Sequence, residues 1–382
     1  MKEVNNKIVY YSIVLLCILN TIQIGEYAGE RYFLPLLGCF ISWFLFTFYS
    51  LNSRNNLKLT DVNVHFIPFT LLIVCIYIGS SNTEEAVFDF IKISLAFSMS
   101  YLLSTQLTFL SNEQIKKVVL LMTSSAIIVL SLELLGRILY SENSIVSVLT
   151  SNFYLLKVNS PFFQDTNATG LYALSIFCIL VYYNNVYSPI KHKTISVLIF
   201  VIFLFLITSL SRAAIISAML LLMIDAFIKL RNISKVMIVM LAMFLFVLSI
   251  HMFFELVSSD GSGKTKLLIV QSVIDKYDII SGIDFLFGFG INAGNYAYSF
   301  HEGEYSHLLL TMLLGQVGII GLFIYMSFFI MKAIISRGAT LYVFIPFFVV
   351  GLSYLHPFLE SVFFASGFVF GLSQSQGDRI GG

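Results

Sequence analysis

His307 stands at the mouth of an apolar run and is followed by Gly318 and Gly321, in a chain of 382 residues that is 58% hydrophobic and 11% charged. Where charge is so scarce, polar groups held at a membrane face are where function is expected. The segment HEGEYSHLLLTMLLGQVGIIG places His301, Glu302, Glu304 and His307 at the junction of a loop and a helix. Glu304 and His307 are three apart, so a helix that starts early enough lets the carboxylate orient the imidazole, which makes a plausible general base. The plainer reading is a histidine kept at an interface for its amphipathic ring. A metal reading is weaker, because the two histidines fall on different helical faces and no HExxH pattern is present. Gly315, Gly318 and Gly321 recur every third residue and give a bare stripe for close packing.

Arg212, in ITSLSRAAIISA, sits between two apolar runs with almost no loop between them. A guanidinium there is expected to face a wet cavity or an anion such as phosphate, the alternative being an arginine that snorkels to the headgroups. In SSDGSGKTKLL, Lys264 and Lys266 can meet a diphosphate or simply decorate a loop; exposed lysine is the default, and GSGKT lacks the GxxxxGK[ST] spacing of a nucleotide loop. Asp165 and Asn167, in PFFQDTNATG, read first as a helix cap and second as polar groups offered to a sugar. Glu133 and Arg137 are four apart and read first as a structural ion pair, second as a cavity lining. Lys92, Asp225 and Glu360 are further polar residues in or at the edges of apolar stretches.

The elements that must position these residues are helices in lipid. A mean hydropathy of +0.89, with Phe at 38 positions and Tyr at 20, leaves no polar shell for a soluble domain. The expected fold is all-α, a polytopic integral membrane protein with about twelve spans of roughly 20 residues. They fall near 8–24, 32–50, 62–79, 87–109, 118–139, 168–187, 195–211, 213–230, 236–254, 305–331, 340–355 and 358–373. Most Lys and Arg lie in alternate loops, which puts both termini in the cytoplasm. The first apolar stretch lacks a cleavage pattern and reads as a retained helix. Residues 1–382 form one membrane domain with two long outward loops, 140–166 and 255–304. In the larger, Lys266 to Ile280 has apolar residues near helical spacing and is expected to lie along the interface, before the glycine-rich FGFGINAGNY, which predicts a tight turn with close backbone approach. Four cysteines inside apolar stretches, with no CxxC, are expected to be core residues.

The order of these pieces resembles the O-antigen polymerase and O-antigen ligase superfamily. The likeness runs over residues 160–325: a QDTNATG entry to one span, SLSRAA two spans later, an outer loop opening with GKT and closing with FGFGINAGNY, then His307 with Gly318 and Gly321. Leu308 replaces the family's polar neighbour of the histidine, which weakens the ligase branch, and Lys264 stands where arginine is common.

The resemblance implies a metal-independent glycosyltransferase of the bacterial inner membrane, without cofactor, its active site facing the periplasm. Its substrates would be polyprenyl-diphosphate-linked oligosaccharides, joined to one another by a polymerase or passed to lipid A core by a ligase. His307, oriented by Glu304, would be the general base, and Arg212, Lys264 and Lys266 would hold the diphosphate. His301, Asp165, Asn167, Arg137 and Tyr305 would line the substrate cavity. Membrane lipids, a chain-length regulator and a flippase of the same pathway are the implied partners, and no nucleic acid is. From another class, the rival is a lipid-linked-glycan flippase or transporter that uses Lys92, Glu133, Arg137 and Glu360 as pathway residues.

Overall fold

The computed structural model describes residues 2–22, 33–53, 59–79, 83–140, 160–163, 165–188, 193–229, 261–276, 280–299, 301 and 305–380. Regular structure among them is helical throughout: α1 (Lys2–Thr21), α2 (Phe33–Ser53), α3 (Leu59–Gly79), α4 (Thr83–Gln106), α5 (Asn112–Tyr140), α6 (Thr166–Tyr182), α7 (Lys193–Thr208), α8 (Arg212–Lys229), α9 (Gly261–Lys276), α10 (Gly282–Phe287), α11 (Ile291–Gly294), α12 (Leu309–Ile335), α13 (Leu341–Gly351) and α14 (Glu360–Ile380). Each of the twelve apolar segments coincides with a helix except 236–254, which lies outside the described residues together with most of the loop 140–166. Among the described residues, five helical stretches are long and apolar enough to cross a membrane: Leu34–Leu51, Val62–Gly79, Asn112–Leu139, Thr166–Tyr187 and Leu309–Ile335.

Helix α6 is apolar around its whole circumference, a pattern that requires burial on every side. All its residues but Asn167 are buried, and it packs against α5, α7, α8, α13 and α14. The outer helices do the reverse. Phe40, Phe44, Phe48 and Leu51 run down one exposed face of α2, and Val197, Phe200, Leu204 and Ile207 down one of α7, at spacings of three and four. Continuous apolar faces of this kind suit lipid and not water.

Close packing uses small residues. Gly367 and Gly371 of α14 lie against α4; a Cβ on the first would stand 2.6 Å from the Ser100 Cα and on the second 2.7 Å from the Leu103 carbonyl oxygen. Buried carboxylate Glu133 of α5 ties three pieces together. It accepts hydrogen bonds from Ser160 Oγ (2.6 Å) and the Phe162 amide (2.9 Å) and pairs with Arg137 Nε at 3.4 Å, while Arg137 Nη1 donates to the Thr208 carbonyl at the end of α7 (2.9 Å). An ionised group buried this deeply needs such partners to offset its desolvation.

Helix α12 is broken in its middle. Gly318 has φ +65° and ψ −172°, open only to glycine, and interrupts an otherwise helical run. The loop between α10 and α11 fills the break: the Phe289 amide donates to the Gly315 carbonyl at 2.7 Å, and a Cβ on Gly315 would overlap the Gly294 carbonyl. The glycine-rich segment makes the expected tight turn between Gly288 and Gly290, both at positive φ, then forms the short helix α11, and what it approaches is the backbone of α12.

Candidate functional site

His307 does not begin a helix. Its φ of +51° is left-handed, rare for a side chain of this size, and α12 starts two residues later at Leu309. Three contacts hold it there: Ser306 donates its amide to the Asn295 carbonyl (2.9 Å), Leu308 closes a tight turn onto the Ser306 carbonyl (2.6 Å), and the Leu355 amide donates to the His307 carbonyl (3.2 Å). A non-glycine residue kept at such a φ costs of order 1–3 kcal/mol and persists where its surroundings dictate it. His307 is therefore not on the helix that the Glu304–His307 spacing calls for, and Glu304 lies outside the described residues.

The imidazole stands beside Tyr354, ring centroids 5.8 Å apart and 29° between planes, and Tyr305 lies 6.1 Å away. Tyr305 in turn stacks on Tyr296 at 4.7 Å, and the hydrogen bond between the two phenols raises Tyr296 above the ordinary tyrosine range. Tyr354 belongs to the turn after α13, which Tyr325 of α12 anchors by donating its hydroxyl to the Pro357 carbonyl (2.7 Å).

Arg212 is the first residue of α8. The turn before it, Ser209 to Ser211 with Leu210 at φ +57°, is seated against α6 at Gly170, where a Cβ would stand 2.6 Å from the Ser211 Cβ. That contact brings the guanidinium beside the start of α6, where Asp165 caps the helix by accepting the Asn167 amide at 3.0 Å, as the sequence pattern suggests. Helix α9 closes the other side. It starts at Gly261 and ends at Lys276, five residues earlier at its start than the expected interfacial segment, with Leu267, Val270 and Ile274 on an exposed face. Lys276 Nζ fastens α9 to the chain at the carbonyls of Ala297 (2.8 Å) and Ser299 (3.0 Å), and Lys266 Nζ donates to Ser353 Oγ at 2.6 Å.

These elements enclose a cavity of about 590 Å³ lined by Asp165, Asn167, Arg212, Thr265, Lys266, His307, Ser353 and Tyr354. A second cavity, of about 300 Å³, lies against the same His307 and Tyr354 and is lined by Lys92, Asn292, Asn295, Tyr305, His356 and Glu360 among others. Five residues picked out by sequence, Asp165, Asn167, Arg212, Lys266 and His307, share the larger cavity, and Tyr305 lines the smaller.

Three do not join them. Lys264 is exposed and outside the lining of either cavity, since two positions from Lys266 it points to another side of α9. His301 is exposed before α12, its amide donating to Ser299 Oγ at 3.3 Å. Arg137 pairs with Glu133, as their spacing suggests, and bridges α5 to α7; it lines neither cavity, so the lining role that the resemblance implies is not seen. Conversely, the sequence does not mark out Ser353 and Tyr354, or Asn292 and Asn295, which line the cavities. Their signal is faint: an SYLHP turn that is polar between two apolar runs, and asparagines among glycines.

A scan against protein-family models finds no match. Comparison with curated proteins finds none either. What the larger cavity can do follows from its groups: two cations that can gather an anion, one imidazole that can take a proton, and a carboxylate and a side-chain amide for hydroxyl groups.

Proposed function

We propose that this chain is a membrane glycosyltransferase of the O-antigen polymerase kind, joining polyprenyl-diphosphate-linked oligosaccharide units at the periplasmic face of a bacterial inner membrane. The observation that carries the reading is the convergence of Arg212, Lys266 and His307, from three distant parts of the sequence, on one cavity. In this reading twelve helices span the membrane, both termini are cytoplasmic, and α9 lies along the outer interface.

The chemistry asks for little else. A sugar hydroxyl attacks the anomeric carbon of the donor; His307 removes its proton, and the bond from that carbon to the diphosphate oxygen breaks with its electron pair leaving on the diphosphate. Arg212 offers a planar fork of donors and Lys266 a point charge to the departing anion, inside a partly water-excluded site where such charges act strongly. Asp165 and Asn167 lie at the same wall and supply acceptor and donor groups to the glycan.

Purified protein in detergent, given a lipid-diphosphate-linked repeat unit, is expected to yield a ladder of lengthened products on a gel. Arg212→Ala and His307→Ala should each abolish it. Product that forms only when lipid A core is supplied would instead make the protein a ligase, and silence in both assays would sink the transferase reading.

A further inference from the structure

We propose that the smaller cavity is a second glycan subsite, which holds the acceptor end whose hydroxyl reacts, and that Lys92, Asn292 and Glu360 recognise it. The inference rests on the transferase reading above and goes beyond it, because none of these residues belongs to the basic cavity. A transfer reaction needs two substrates that meet at one proton acceptor. The structure has two cavities, and the residues common to both are His307 and Tyr354.

The groups differ between them in a way that assigns the roles. The larger cavity carries two cations, Arg212 and Lys266, against one carboxylate, which suits a diphosphate. The smaller is balanced: Lys92 of α4 opposes Glu360, the first residue of α14, with the side-chain amides of Asn292 and Asn295 and the phenols of Tyr305 and Tyr354. Sugar hydroxyls both give and accept hydrogen bonds and offer apolar C–H faces to rings, so a mixed set of donors, acceptors and aromatics fits them better than it fits an anion. Its volume of about 300 Å³ is at the small end of ligand sites, which run to roughly 300–1,000 Å³, so it takes a glycan end and not a whole repeat. Glu360 is buried and Lys92 half-buried on neighbouring helices, so both are held by the bundle and not by a mobile loop.

Placed there, the acceptor hydroxyl meets His307 where the two cavities adjoin. The hydroxyl oxygen bonds to the anomeric carbon presented from the larger cavity, its proton goes to the imidazole, and the carbon–oxygen bond to the diphosphate breaks as that group leaves. The imidazolium then returns the proton to solvent.

The test uses the full chain in detergent, the lipid-linked repeat unit as donor, and as acceptor the free oligosaccharide released by mild acid from the cell's own lipid carrier. Lys92→Met and Asn292→Ala should each raise KM for the free oligosaccharide roughly ten-fold, the effect of losing a hydrogen bond to a tightly held ligand, with KM for the donor within about two-fold of wild type. Arg212→Gln should do the reverse. If both smaller-cavity variants leave the oligosaccharide KM unchanged, or move the donor KM instead, the subsite is disproved while the transferase reading stands. If the wild type transfers nothing, that reading fails, and thermal unfolding decides the subsite alone. The oligosaccharide should then raise the unfolding temperature of the wild type and of Arg212→Gln but not of Lys92→Met; no rise for the wild type overturns the proposal.

Discussion

Replacing His307 by Ala is expected to cut transfer by about 10²–10⁴-fold, the range that one positioned acid–base group supplies. The protein should still elute as a single species from a sizing column, because alanine removes a side chain that lines open space. Arg212→Lys retains charge but loses the planar fork, so donor turnover should fall yet remain above that of Arg212→Ala, measured as initial rates on the same lipid-linked substrate. At this scale much was legible. His307 and Arg212 stand out because each is a charged or titratable residue beside apolar runs, whereas Lys266, Asp165 and Asn167 have plainer readings, a loop lysine and a helix cap, and gain weight only from the resemblance. Tyr354 and Ser353 do not stand out, since tyrosine and serine are common in such chains and only the turn pinned by Tyr325 sets them beside the imidazole. Arg137 is legible in part: the four-residue spacing from Glu133 predicts the ion pair, whereas the bond to the Thr208 carbonyl, which makes the pair a brace, depends on the packing of α7.

Among the elements, the broken helix α12 makes the sharpest prediction. Gly318→Ala would force a side chain into a left-handed backbone and against Leu286. The backbone term alone is about 1–3 kcal/mol, so the unfolding temperature in detergent should drop clearly, whereas Gly282→Ala, with nothing within 4 Å of the new methyl group, should leave it nearly unchanged. The sequence shows three glycines at three-residue spacing and so predicts a face for packing. It does not show the break, because the sign of φ at Gly318 is set by Leu286 to Phe289, which the fold brings in from some thirty positions earlier. The GxxxG pair Gly367 and Gly371 was equally present in the sequence. Such pairs are common in apolar helices, and its partner α4 is identified only by the packing.

For the molecule as a whole, the Glu133 and Arg137 brace joins α5, the 160–163 turn and α7. Arg137→Met leaves a buried carboxylate without its cation and should cost about 3–5 kcal/mol, while the double change Glu133→Gln with Arg137→Met should recover part of it. Unfolding midpoints of the two single variants and the double variant measure that coupling, and strictly additive losses would refute the brace. The helical class and the placement of the helices were readable because apolar runs recur at the length of a bilayer. Which helix stands at the centre was not, since α6 and the outer helices are similarly apolar and burial depends on what surrounds them.

The enclosure of α6 has one more outcome. Cys178 sits on this helix with no exposed surface, and Cys17, Cys39 and Cys75 are buried as well. A thiol in that position can be alkylated only when the bundle parts, so each cysteine is a built-in clock for core opening. A membrane-permeant maleimide should leave the folded protein almost unlabelled for as long as it remains native, and mass spectrometry should find all four sites modified after unfolding. The lag at Cys178 would then time how rarely the centre of the bundle is breached.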